Sequence, residues 1–227
     1  HSEMGFLLET VSPAEFSEIN QFITLEGVLC PAAKMLEKKV KVSQLIEEFL
    51  NIMAEEQRLY LPVISSGFRT MLAEIRQTAS LSDRITVMVP ATAEGLMCLK
   101  ACRTLKVPVI LAGVQSMAMA AFGHENHAPA MLLDYGALEE SGHALQTIKA
   151  ACEKYPSCLI MAGGFDGCRQ VSRVLMETDA HPVLTAGQAA KILSASTLPE
   201  ENRQVRYGWA ETYFRTELCG DDGDLKE

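Results

Sequence analysis

The sequence has no apolar run that could span a bilayer. Its longest such stretch, Val107–Val114, is eight residues, against the roughly 20 that a membrane helix needs. Cations are scarce. Lys and Arg total 20 against 29 Asp and Glu, a formal charge of −9, so a nucleic-acid backbone or an anionic membrane surface is not the expected partner. No CxxC pair occurs among the seven cysteines, and no secretory leader is evident. Reduced thiols in a cytoplasm fit this better than a disulfide framework. A Gly-rich dinucleotide turn, a phosphate loop and a triad signature are also missing. His124 and His127 flank Glu125 without the His-Glu-x-x-His spacing of a zinc protease, and read as a solvated pair. Neither a metal nor a cofactor is expected.

What is present is core material. Of 227 residues, 48% are hydrophobic and 22% charged, the composition of an ordinary globular domain. His1-Ser2-Glu3 ahead of Met4 reads as an added leader outside the fold. Short apolar runs then alternate with amphipathic ones. Strands are predicted over Phe6–Leu8, Gly27–Leu29, Tyr60–Ile64, Ile85–Val89, Val109–Leu111, Ala130–Leu133, Cys158–Met161 and Pro182–Thr185. Helices are predicted from Pro13 behind a Ser12 cap, over Val42–Arg58 and Phe68–Gln77, and from a Thr92 cap to Leu105. Further helices are expected over Ser116–Phe122, Leu138–Lys154, Arg169–Glu177 and Gln188–Leu193. Eight strand–helix units predict an α/β fold, a (β/α)8 TIM barrel, as one domain over 1–227. An extra C-terminal helix over 203–217 would carry Trp209, Tyr213 and Phe214, followed by an acidic tail over 218–227. An open doubly wound sheet is the rival, and it lacks its glycine fingerprint.

The segment Val87-Met88-Val89-Pro90-Ala91-Thr92-Ala93-Glu94-Gly95-Leu96 resembles the fourth strand and following helix of the small transaldolases and fructose-6-phosphate aldolases, which read V-K-V-P-x-T-x-E-G-L. Lys106-Val107-Pro108-Val109, Ala128-Pro129, Phe6-Leu7-Leu8-Glu9-Thr10 and Gly27-Val28-Leu29-Cys30-Pro31 are similar to other family strands in the same order. The resemblance implies a barrel, a sugar-phosphate substrate and a homo-oligomer, a pentamer or decamer. It also implies that Met88 stands where the family has its Schiff-base lysine, and a thioether cannot form an imine. By the same resemblance Glu9 replaces an aspartate, Pro31 an asparagine, Pro62 a glutamine, Ala130 a tyrosine and Leu133 a phosphate-binding arginine.

Sites in such barrels lie at the C-terminal ends of the strands. The polar candidates there are Glu9 after the first strand, Cys30 after the second and Gln115 after the fifth. Gly164, Asp166 and Arg169 surround the seventh, where a glycine turn and a helix N-terminus suit an anion. Ser65 and Ser66 read as a helix start. Two functions remain open: a transaldolase-like protein without aldol chemistry that binds a sugar phosphate or similar small polar metabolite, or a lyase or isomerase using Glu9 as base. An active aldolase with a displaced lysine is the least favoured, because Lys34, Lys100 and Lys106 fall on loops or helices.

Overall fold

Eight strands pair in parallel in chain order, and the first closes on the last. They are β1 (Phe6–Glu9), β2 (Leu25–Leu29), β3 (Arg58–Pro62), β4 (Ile85–Pro90), β5 (Val109–Val114), β6 (Ala130–Asp134), β7 (Leu159–Gly163) and β8 (His181–Thr185). The computed structural model describes residues 5–194; the leader, the helix expected over 203–217 and the acidic tail lie outside the described residues. Helices α1 (Pro13–Ile19), α2 (Ala32–Glu37), α3 (Val42–Ile52), α4 (Phe68–Ala79) and α5 (Ala93–Leu105) follow the first four strands. The second half carries α6 (Met117–Glu125), α7 (Tyr135–Glu140), α8 (Ala144–Lys154), α9 (Cys168–Glu177) and α10 (Ala186–Ser194). None of the described helices is long and apolar enough to cross a membrane.

Period-two alternation divides the core in two. One set of strand side chains, including Leu8, Val28, Val87 and Leu111, packs outward against the helices. The other set, Leu7, Leu29, Tyr60, Met88, Ile110, Ala130, Met161 and Val183, fills the barrel interior. Strands buried on both faces are why all eight read as continuous apolar runs.

The fourth unit shows how the family-like motif folds. Pro90 ends β4, and Thr92 caps α5, its hydroxyl accepting the Gly95 N–H at 3.1 Å. A Cβ at Gly95 would sit 1.8 Å from the Pro90 carbonyl oxygen, so the helix can rest on the strand end only with glycine there. The motif is thus mainly a strand-to-helix joint, and Met88 is its position facing the barrel interior.

Two helix expectations are corrected. The helix starting at Val42 stops at Ile52 rather than Arg58. Gln57 ties the intervening turn, accepting the Ala54 N–H and donating to the Leu25 carbonyl, and Arg58 opens β3. The Leu138–Lys154 helix is two, parted where Gly142 takes φ +79°. The short α2 was not anticipated.

One irregularity bears on the barrel floor. Phe6 pairs with Leu25, but Leu7 pairs with Gly27. Glu26 is therefore an extra, bulged residue in β2, and bulges re-aim side chains.

Candidate functional site

At the C-terminal ends of the strands lies a cavity of about 290 Å³. Glu9 from β1, Cys30 and Pro31 after β2, Pro62 from β3, Met88 from β4 and Leu132 from β6 line it, with Ala112 and Gly113 at the β5 rim. Glu9 is its one ionisable carboxylate, and no lysine is among its lining residues. The walls are otherwise apolar, as in most small-molecule sites.

The structure thus brings together Glu9, Cys30 and Met88. Burial pushes the Glu9 carboxyl above the usual carboxylate range; Lys34 pulls it back and Asp134 pushes it further up. A carboxyl held in this way is suited to proton exchange nearer neutral pH. Cys30 is wholly buried, and burial pushes its thiol up to about 12. It stays protonated at neutral pH and is a poor nucleophile. Pro31 and Pro62 line the cavity, whereas Ala130 lies deeper in the barrel and Leu133 packs outward against the helices.

Gln115, Gly164, Asp166 and Arg169 do not line this cavity. Gln115 is exposed, its N–H against the Met119 sulfur at 3.4 Å. Gly164 takes φ +76°, and a Cβ there would come 2.7 Å from Asp134 Oδ1, so the turn joins the ends of β6 and β7. The Asp166 N–H donates to Gln170 Oε1 at 2.7 Å, and the Phe165 carbonyl accepts from Gln188 Nε2 at 2.6 Å. Gly167 begins α9 without a side-chain cap, and Arg169 stands exposed in its first turn. No cluster of potential metal ligands occurs among the described residues.

Sequence reasoning left two groups that act on Glu9 out of the site. Lys34, on α2, lies beyond Cys30 on a helix too short to be read from periodicity. Asp134 ends β6 in the same alternating set as Ala130 and Leu132, a signal that was available. Its carboxylate caps α7, accepting the Ala137 N–H at 3.2 Å.

No family model matches the chain. Curated relatives do. A protein named probable transaldolase 1 from Bacillus cereus is 28% identical over 144 residues, covering 62% of this chain and 64% of that protein. A probable transaldolase of Nitrosopumilus maritimus is 26% identical over 160 residues, 67% of this chain and 70% of that one. Another, from Shouchella clausii, is 24% identical over 197 residues, 86% of each. In the first of these the match spans just under two thirds of the relative's length. Similarity of this extent, carried by a closed barrel of eight parallel strands, makes the chain a transaldolase-like (β/α)8 barrel.

Proposed function

We propose that this transaldolase-like barrel binds a sugar phosphate, or a similar small polar metabolite, at its C-terminal mouth without forming a Schiff base. The observation that carries the reading is Met88 in the cavity wall, with no lysine among the lining residues. Imine formation needs a free amine within bonding reach of the carbonyl, and a thioether has none. Methionine keeps the length of the side chain while leaving the interior uncharged. The raised Glu9 carboxyl is placed to exchange a hydrogen bond with a ligand hydroxyl. The uncapped N-terminus of α9 beside Arg169 supports a phosphate contact at the same end of the barrel.

Glu9 also favours a second reading, in which it is the acid–base group of a lyase or isomerase.

Borohydride reduction in the presence of dihydroxyacetone or fructose 6-phosphate, read by intact mass, tests the imine claim. No adduct is expected, and an adduct on any lysine overturns the reading. Thermal-shift titration with fructose 6-phosphate and other sugar phosphates tests binding: a saturable rise in midpoint supports it, and no shift at millimolar ligand refutes it. Consumption of the stabilising compound selects the enzyme reading over simple binding.

A further inference from the structure

The opposite end of the barrel holds a second cavity, of about 380 Å³, among the N-terminal ends of β2, β3, β7 and β8. Its lining has the polar character that the mouth lacks. Glu26, Arg58, Tyr60 and His181 all contribute to it. Their arrangement follows from the fold: the β2 bulge re-aims Glu26, and Tyr60 is one of the residues filling the barrel interior.

Much of the hydrogen-bonding capacity here serves the barrel itself. His181 Nδ1 lies 2.9 Å from both carboxylate oxygens of Glu26, joining β8 to β2. Arg58 Nε donates to Thr86 Oγ1 at 2.9 Å, and Nη2 donates to the Asp83 and Ile85 carbonyls at 3.2 and 3.4 Å. Gln57 is fully engaged by Ala54, Asn20 and Leu25. Three capacities remain. Tyr60 is 6% exposed, and among the described residues its hydroxyl has no hydrogen-bond partner. Arg58 Nη1 also has no partner among the described residues. The Glu26 side chain is 34% exposed and keeps lone pairs that His181 does not occupy.

The Tyr60 side chain lines the cavity, so its hydroxyl is available to a ligand there. The groups around it are the unengaged donor edge of Arg58 and the carboxylates of Glu26 and Glu56, of opposite charge, lining the same cavity. We propose that this basal cavity is a second binding site, for a small zwitterion bearing a carboxylate and an ammonium group. The carboxylate accepts from Arg58 Nη1 and the Tyr60 hydroxyl, and the ammonium donates to Glu26. At the lower end of ligand-site volumes, the cavity admits a compact molecule of the size of a small free amino acid. The site is distinct from the mouth cavity, with which it shares no lining residue.

The test uses the full chain with glycine and L-alanine as probes, and acetate and ethylammonium as their two halves. Binding is followed by calorimetry and by amide shifts in NMR. The zwitterions are expected to bind saturably, each half more weakly. Amide shifts are expected to concentrate at Glu26, Arg58 and His181. Loss of one charge-assisted hydrogen bond corresponds to about tenfold in affinity, so Tyr60→Phe and Arg58→Lys are each expected to weaken binding by about that factor. Tyr60→Phe keeps the ring that fills the barrel and serves as the folded control, with its thermal midpoint measured alongside. The proposal is overturned by an absence of saturable binding, by shifts centred on Glu9 and Met88 instead, or by a folded Tyr60→Phe that binds like the parent. The last result would mean that these polar groups only close the barrel floor.

Discussion

Glu9 is the one carboxylate lining the mouth cavity. Folding raises its affinity for a proton, chiefly by burial. The protonated form is therefore the one the fold favours. The resulting stabilisation is complete below the ordinary carboxyl value of 4.5 and is lost as pH climbs through the raised folded value. Glu9→Gln removes the titration. The variant is expected to gain stability relative to the parent across that window and then hold a constant difference. Urea denaturation of both proteins between about pH 4 and 8 measures this, and a difference independent of pH would refute the assignment. Glu9 was legible from the sequence because it ends a recognisable apolar strand, and Met88 because the segment around it resembles a family motif. Lys34 acts on Glu9 from a helix with no periodic stripe, whereas the alternation along β6 already set Asp134 with Ala130 and Leu132. Glu26 and His181 were further out of reach: 155 residues part them, and a bulge leaves no mark on hydrophobic alternation.

The joint between β4 and α5 shows how much one local motif can specify. Thr92 satisfies a free N–H of α5, Glu94 sits in the first turn where the helix dipole favours an acid, and Gly95 allows contact with the Pro90 carbonyl. Gly95→Ala must displace backbone, so it is expected to destabilise the protein by about 2–4 kcal/mol, even though alanine is the better helix former. Chemical denaturation checks this, and a change near zero would mean that the helix lifts off the strand freely. All eight strands were readable because each is an apolar run bounded by turn residues. Helix ends were less so. In α2 only Met35 is buried and no side chain caps the start, leaving neither a periodic stripe nor a terminal signal. In the Leu138–Lys154 stretch the apolar period continues past Gly142, and only the left-handed conformation there breaks the helix.

At the scale of the whole molecule, chain order and spatial order coincide around the barrel, so counting strands was enough to give the topology. Association is a separate matter. Large apolar side chains stand exposed on the single chain, including Phe122 on α6 and Met176 on α9, at 60% and 76%. The resemblance to the small transaldolases points to five or ten subunits. Light scattering is expected to give that multiple of the 24.8 kDa chain mass, and a monomer mass in dilute solution would refute it.

Closure of β1 on β8 also sets a timetable for biosynthesis. Gly5 and His181 meet in the finished barrel across 176 residues of chain. At ribosomal speeds of 5–20 residues per second, β1 waits roughly 10 to 35 s for its last neighbour to emerge. Throughout that interval its outer edge, at Leu7, Leu8 and Glu9, is an unpaired template for any other extended chain. A nascent barrel of this kind depends on that edge being shielded until β8 has emerged.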